Sequence, residues 1–273
     1  MEGYTTSTEY KPNIGFTIVY RIIALASGVG KTSLGEKIVG HLSKKGVKLA
    51  VVKQTHLPSI ERDSDAVRYR VAGAPEVTVV SPHETLIISE PMVNLREIIA
   101  NMKYYPLVIV EGFRGCNIGK AIAIIESEEE LNKILHEQEP GLSLIVSHDF
   151  DLVEKAKEKG LHAILFDETE SIAEWVYKDA LTTLLSLLPG ENCGLCRVGS
   201  CLEFAEKILV GEAEPFDCPN VLSVKFVVDN KDIPIDPKTE KIMLHIIKGI
   251  LGILENVPES PKRITVTIKL KER

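Results

Sequence analysis

FTIVYRIIALASGVGKTS, residues 16–33, decides the fold. Its first half, Phe16–Ala24, is rich in β-branched and aromatic side chains and predicts a buried strand. The glycine loop follows directly, and Ser33–Lys45 then places apolar residues at helical spacing until Gly46 closes it. A second strand is expected over Lys48–Val52, which completes a β-loop-α-β unit. The loop reads Leu25-Ala26-Ser27-Gly28-Val29-Gly30-Lys31-Thr32, close to the phosphate-binding pattern G-x-x-x-x-G-K-[ST] with leucine at the first glycine. Such a loop lets successive backbone N–H groups wrap a phosphate at a helix N-terminus, where the helix dipole favours negative charge. Gly28, Val29, Gly30, Lys31, Thr32 and Ser33 are the expected nucleotide-binding residues. Lys31 would reach the β- and γ-phosphates and the Thr32 hydroxyl would be a magnesium ligand. If the Leu25 position needed a positive φ, leucine there would cost on the order of 1–2 kcal/mol.

Beyond this unit, strand-like and helix-like segments alternate. Strands are predicted at Val77–Val80, Thr85–Ile88, Leu107–Val110, Ala121–Ile125, Leu144–Val146 and Ala163–Phe166. Helices are predicted near Val93–Asn101, Glu128–His136, Leu152–Lys159 and Ser171–Leu187. The pattern predicts an α/β fold, a doubly wound and mostly parallel P-loop NTPase sheet with helices on both faces. Residues 1–13 read as a loose leader, 14–188 as the nucleotide-binding domain, 189–220 as a small cysteine module and 221–273 as a short α+β segment. The module contains one predicted helix, Leu202–Leu209. The last segment offers a strand at Val221–Val228, a turn at Asp229-Asn230, a helix near Thr239–Asn256 and a final strand at Arg263–Leu270. His245 lies in that helix and reads as a packing residue.

A magnesium site also needs an acid at the end of a neighbouring strand, and PLVIVEGFRG, residues 106–115, supplies Glu111 after an apolar run. The alternative is a solvated strand-end carboxylate. Residues 53–77 gather Lys53, His56, Asp63, Arg68 and Arg70 after the second strand, where ligands of a doubly wound sheet lie. Lys31, Asp63, Glu111 and Arg114 are the candidate catalytic residues, with Arg114, Arg68 or a partner's arginine supplying positive charge to a transferring phosphoryl group. No N-K-x-D string occurs, and Asp149 in LIVSHD is the candidate base reader.

Cys193, Cys196, Cys201 and Cys218 are spaced C-x2-C-x4-C-x16-C within 26 residues. In a chain without an export signal, this crowding points to metal ligation rather than disulfides. Four thiolates suit either zinc or an iron–sulfur cubane. The fifth cysteine, Cys116, stands apart in sequence and reads as a small half-buried side chain.

At 273 residues and 44% apolar content the chain can bury a substantial core. A formal charge of −7 argues against broad capture of nucleic acid or of an anionic membrane. The apolar run Ile14–Leu25 is broken by Arg21 and fits neither a spanning helix nor a signal peptide, so a cytoplasmic protein is expected.

Three blocks, ASGVGKTSL, VVKQTH with RDSDAVRYRVAGAPEV, and LVIVEGFRG, resemble the molybdopterin-guanine dinucleotide biosynthesis protein B family over roughly residues 14–180. That resemblance implies a GTP-binding accessory factor with weak GTPase activity, a bound Mg2+, and a phosphate site at Gly28, Gly30, Lys31 and Thr32 with Asp63 and Glu111 nearby. It also implies a molybdenum cofactor guanylyltransferase or molybdoenzyme as partner, and a homodimer. The cysteine run is similar to the four-cysteine iron–sulfur domain of the corrinoid subunit of CO dehydrogenase/acetyl-CoA synthase, which implies a [4Fe–4S] cluster on Cys193, Cys196, Cys201 and Cys218. Two other functions compete: a redox or corrinoid-activation module driven by nucleotide hydrolysis, and a P-loop ligase of the dethiobiotin synthetase type.

Overall fold

The computed structural model describes residues 10–11, 13–55, 68–69, 72–74, 76–83, 85–89, 94–102, 104–221, 226–228, 231–233, 237–254, 264 and 266. Its centre is strand β2, Thr17–Ala24, whose first seven residues are all buried. A short β1, Asn13–Ile14, pairs antiparallel to its start. The other strands of this sheet are β3 (Leu49–Lys53), β6 (Leu107–Glu111), β7 (Lys120–Ile124), β8 (Leu142–Ser147) and β9 (Ala163–Leu165). They lie in the order β3-β6-β2-β7-β8-β9, every neighbouring pair parallel. In register, Ile22 faces Glu111 on one side and Ile122 on the other. The predicted doubly wound sheet is therefore present.

The helices divide between its faces. Helix α1 (Lys31–Lys44) packs Leu34, Ile38 and Leu42 against Ile18, Tyr20 and Ile22, and α5 (Thr169–Ser186) adds Ile172, Val176 and Leu184 to the same core. On the other face α2 (Leu95–Asn101) covers Val19, Val108 and Val110, while α3 (Glu128–His136) and α4 (Phe150–Glu158) cover Ile23, Ala121, Ala123 and Ile145. Local chemistry fixes the ends of these helices. The Ser127 hydroxyl accepts from the Glu130 N–H at 3.2 Å and Glu128, Glu129 and Glu130 fill the positive first turn of α3.

Two predicted strands lie outside the main sheet. β4 (Glu76–Val80) and β5 (Thr85–Ser89) form a separate antiparallel hairpin, because their intermediate-to-exposed alternation gives only one face to bury. The cysteine region carries α6, Cys201–Leu209, capped by Ser200, and a single 3₁₀ turn at Pro215–Asp217. Phe204, Leu209 and Cys218 join the core that holds Leu42 and Val47, and the Lys48 N–H donates to the Leu209 carbonyl at 2.8 Å. The module thus shares the core beneath α1 rather than building its own.

In the last segment β10 (Phe226–Val228) pairs antiparallel with β11 (Lys231–Ile233), and α7 spans Pro237–Leu251. His245 is exposed on α7 rather than packed, since the apolar face of this helix is itself largely open. The expected turn at 229–230 and the rest of the final strand lie outside the described residues, apart from Ile264 and Val266. Among the described residues no helix is long and apolar enough to cross a membrane.

Candidate nucleotide site and cysteine module

The glycine loop leaves β2 at the carboxyl edge of the sheet and enters α1 through Gly30, the helix N-cap, at φ 92°. Gly28 is at φ 82°. Both conformations favour glycine. Leu25 is not among the described non-glycine residues with positive φ, so it needs no left-handed backbone. Its side chain packs against the core that contains Ile23 and Leu152. Val29 is buried and anchors the loop, while Ser33 is exposed on the first turn of α1.

The Lys31 ammonium folds back onto the Ala26 carbonyl at 3.0 Å, closing the loop on itself. Thr32 Oγ1 donates to the Glu111 carboxylate, at 2.9 and 3.0 Å from its two oxygens. Lys53, at the end of β3, donates from Nζ to Thr32 Oγ1 at 2.8 Å and lies 3.0 Å from Glu111 Oε2. Adjacent strand ends β2, β6 and β3 thus bring Thr32, Glu111 and Lys53 together. An oxygen set of hydroxyl and carboxylate at a phosphate loop suits a hard divalent cation such as Mg2+. Thr32 and Glu111 would hold that ion, which would supply charge neutralisation to the phosphate oxygens.

Arg114 is not brought to this group. It lies 3.8 Å from Glu137 at the end of α3, because the segment after Glu111 turns down the face of the sheet toward the start of β7. A buried arginine sets that path. Arg21, fully buried in β2, donates to the Phe113 carbonyl at 2.9 Å, to that of Ile118 at 2.7 Å and to Glu139 Oε1 at 2.7 Å. Glu139 in turn accepts from the Gly115 N–H at 3.1 Å. Asp63, with His56 and Arg70, lies outside the described residues.

Asp149 spends one carboxylate oxygen on the start of a helix. Its Oδ1 accepts from the N–H groups of Asp151 at 2.8 Å and Leu152 at 3.3 Å, which makes it the N-cap of α4. Beside it, His148 stacks on Phe166 with centroids 4.1 Å apart, and Phe166 lies against Gly30. Neither residue belongs to a motif. Their sequence signal is only that each directly follows an apolar strand.

In the cysteine module Cys201 and Cys218 are buried, Cys196 is half-buried and Cys193 is exposed, and none is in a disulfide. Side chains tie their segments together. Asn192 Oδ1 accepts from the Cys201 N–H at 2.8 Å, and Asn220 Nδ2 approaches Cys193 Sγ at 3.4 Å and donates to Glu191 at 2.8 Å. A turn from the Gly194 carbonyl to the Arg197 N–H, 2.9 Å, encloses Cys196. Among the described residues no three His, Cys, Asp or Glu side chains stand close enough to hold a metal ion. The segment nevertheless carries four soft donors, Cys201 standing at the start of α6. This donor set fits an iron–sulfur cluster in kind, and such a cluster would supply electron transfer or a cross-link of the module.

The half-buried state expected of Cys116 is observed.

Residues 19–148 match the family described as molybdopterin guanine dinucleotide synthesis protein B, MobB, and residues 188–220 match the family described as "Putative Fe-S cluster". A "Putative molybdopterin-guanine dinucleotide biosynthesis adapter protein" of Methanocaldococcus jannaschii is 28% identical over 252 residues, 89% of this chain and 94% of that protein. The acetyl-CoA decarbonylase/synthase complex subunit gamma of Methanopyrus kandleri is 50% identical over 36 residues, 13% of this chain and 8% of that subunit. Similar solved structures include a molybdopterin-guanine biosynthesis protein B, 24% identical over 60% of this chain and 99% of that one, TM-score 0.48. MobB of Bacillus subtilis is 17% identical over 59% and 95% of the two chains, also with TM-score 0.48. This chain therefore carries a MobB-family domain at residues 19–148, joined to a domain of the "Putative Fe-S cluster" family at residues 188–220.

Proposed function

We propose that this protein is a GTP-binding accessory factor in molybdenum or tungsten cofactor biosynthesis, assisting conversion of molybdopterin to its guanine dinucleotide form. The observation that carries the reading is the Thr32–Glu111 contact behind Gly30, within a MobB-family domain. In this reading the loop amides and Lys31 bind the phosphates, Thr32 and Glu111 hold Mg2+, and Asp63 is a further catalytic residue. Hydrolysis is weak in this reading: Arg114 lies beside Glu137, away from Thr32 and Glu111, so positive charge for a developing phosphate comes from elsewhere, a partner's arginine included. The partner is a molybdenum cofactor guanylyltransferase or a molybdoenzyme, and the working assembly is a homodimer. Cys193, Cys196, Cys201 and Cys218 hold a [4Fe–4S] cluster that serves docking or electron transfer.

The test uses full-length protein purified without oxygen. GTP is expected to displace a fluorescent guanine nucleotide more strongly than ATP in the presence of magnesium, and failure of both to compete would overturn the reading. Iron and acid-labile sulfide are expected at about four each per chain. A colourless, zinc-loaded protein would remove the cluster. Capture of a corrinoid protein or a CO dehydrogenase component in place of a guanylyltransferase would transfer the assignment to the metalloenzyme-activation reading.

A further inference from the structure

The sheet order gives a bound nucleotide a direction. Thr32 and Glu111 meet on the β6 side of β2, so the terminal phosphates belong there, and the nucleoside must run the other way, over β7 toward β8 and β9. β8 is two strands from β2, roughly 10 Å, within reach of a ribose and an α-phosphate. The residues that leave β8 and β9 at that edge are His148 and Phe166-Asp167.

Their arrangement has the parts of a purine platform. The Phe166 ring is only 5% exposed, and a Cβ on Gly30 would lie 2.8 Å from its Cζ, so the ring is fixed against the phosphate loop itself. His148 stacks on it at 4.1 Å and 29°, while 55% of the His148 side chain remains exposed. An aromatic ring covered on one side and open on the other is a stacking surface for a base. Lys37 of α1 places its ammonium 5.8 Å from the Phe166 centroid, at the same margin. Asp167 stands 3.8 Å from His148 Nδ1 with 86% of its side chain exposed, and it caps no helix, whereas Asp149 Oδ1 caps α4.

We propose that His148, backed by Phe166, stacks the guanine base and that the Asp167 carboxylate reads its edge, accepting hydrogen bonds from N1–H and the 2-amino group. This rests on the nucleotide-binding reading above and adds the residues that set base choice. A carboxylate has two acceptor oxygens, and guanine offers two adjacent donors to match them. Adenine presents an acceptor at N1 and no 2-amino group, so it leaves the carboxylate unpaired and is discriminated against.

The experiment is titration calorimetry of GTP, ITP, XTP and ATP with magnesium, on the anaerobic full-length protein and two variants. Asp167→Asn is expected to weaken GTP by about tenfold to a hundredfold and to strengthen XTP, whose 2-oxo group accepts from the new amide. Its ATP affinity is expected to rise, because the new amide can donate to adenine N1 where the carboxylate could not. His148→Ala is expected to weaken GTP and ATP alike, by about tenfold. GTP binding with an unaltered GTP-to-XTP ratio in Asp167→Asn would overturn the base site and leave the proposed function standing. Binding of no nucleotide by the wild-type protein would overturn both.

Discussion

The Lys53 ammonium lies 3.0 Å from the Glu111 carboxylate, and both are in contact with the Thr32 hydroxyl. The contact arises because β3 and β6 are paired in register, with Lys53 opposite Glu111 at the carboxyl ends of the two strands. The strand-end acid is therefore held by a cation and a hydroxyl that both face the phosphate loop, and it is not a freely solvated group. Glu111→Gln keeps the shape and removes the charge. The magnesium-dependent gain in GTP affinity is expected to disappear in that variant, with the affinity in EDTA changing little. The comparison of the two titrations, with and without magnesium, checks it. An undiminished magnesium effect would place the ion on other ligands.

The two loop glycines are expected to differ in what they tolerate. Both have positive φ, so alanine costs about 1–2 kcal/mol at either. At Gly28 a Cβ meets open space, whereas at Gly30 it would lie 2.8 Å from Phe166 Cζ and 3.1 Å from Cε2. Phe166 is packed in the core and cannot swing clear without loss. Urea unfolding is expected to show Gly30→Ala as the less stable variant by at least about 1 kcal/mol. Equal stabilities would mean that the ring yields at no cost.

Much of this architecture was legible because the main-sheet strands are buried on both faces and read as continuous apolar runs. LVIV at 107–110 is such a run, and the expected helix at Glu128–His136 is reproduced at the same bounds. The hairpin Glu76–Ser89 escaped assignment to its own sheet because strand propensity does not reveal a partner. In the site, Thr32 and Glu111 were accessible through spacing. Arg114 was misplaced because only Arg21, an apparently disruptive charge in an apolar strand, reveals how the following segment runs. The capping role of Asp149 was hidden because nothing in LIVSHD shows that α4 begins at Phe150.

Glu139→Ala would leave the fully buried Arg21 guanidinium without its carboxylate. Breaking one partner of such a pair is strongly destabilising, by about 3–5 kcal/mol. Chemical denaturation is expected to show a loss of that order. The Gly115 N–H loses its acceptor as well, so faster hydrogen exchange there is expected to accompany it. A loss below about 1 kcal/mol would mean that solvent reaches Arg21 in the variant.

Stability is expected to fall in alkali through Tyr20. Its hydroxyl donates to Asp179, which also accepts from Lys120 at 2.7 Å. Burial, followed by the nearby Asp179 charge, pushes the Tyr20 phenol well above its ordinary value of 10.0. Below that value the phenol is protonated in both folded and unfolded chains and contributes no pH dependence. Above about pH 10 the unfolded chain releases the proton while the folded one retains it, so the folded state binds more protons and the unfolding free energy declines with pH. The slope contributed by one such proton is about 1.4 kcal/mol per pH unit. Tyr10 and Tyr177 are also raised, each chiefly by burial, and they bend the profile the same way. Tyr20→Phe leaves those two residues and the Lys120–Asp179 pair in place, so the difference between the two profiles isolates Tyr20. Thermal or urea unfolding from pH 8 to 11 is expected to show a shallower alkaline decline in the variant, and parallel profiles would mean that Tyr20 is solvated when folded.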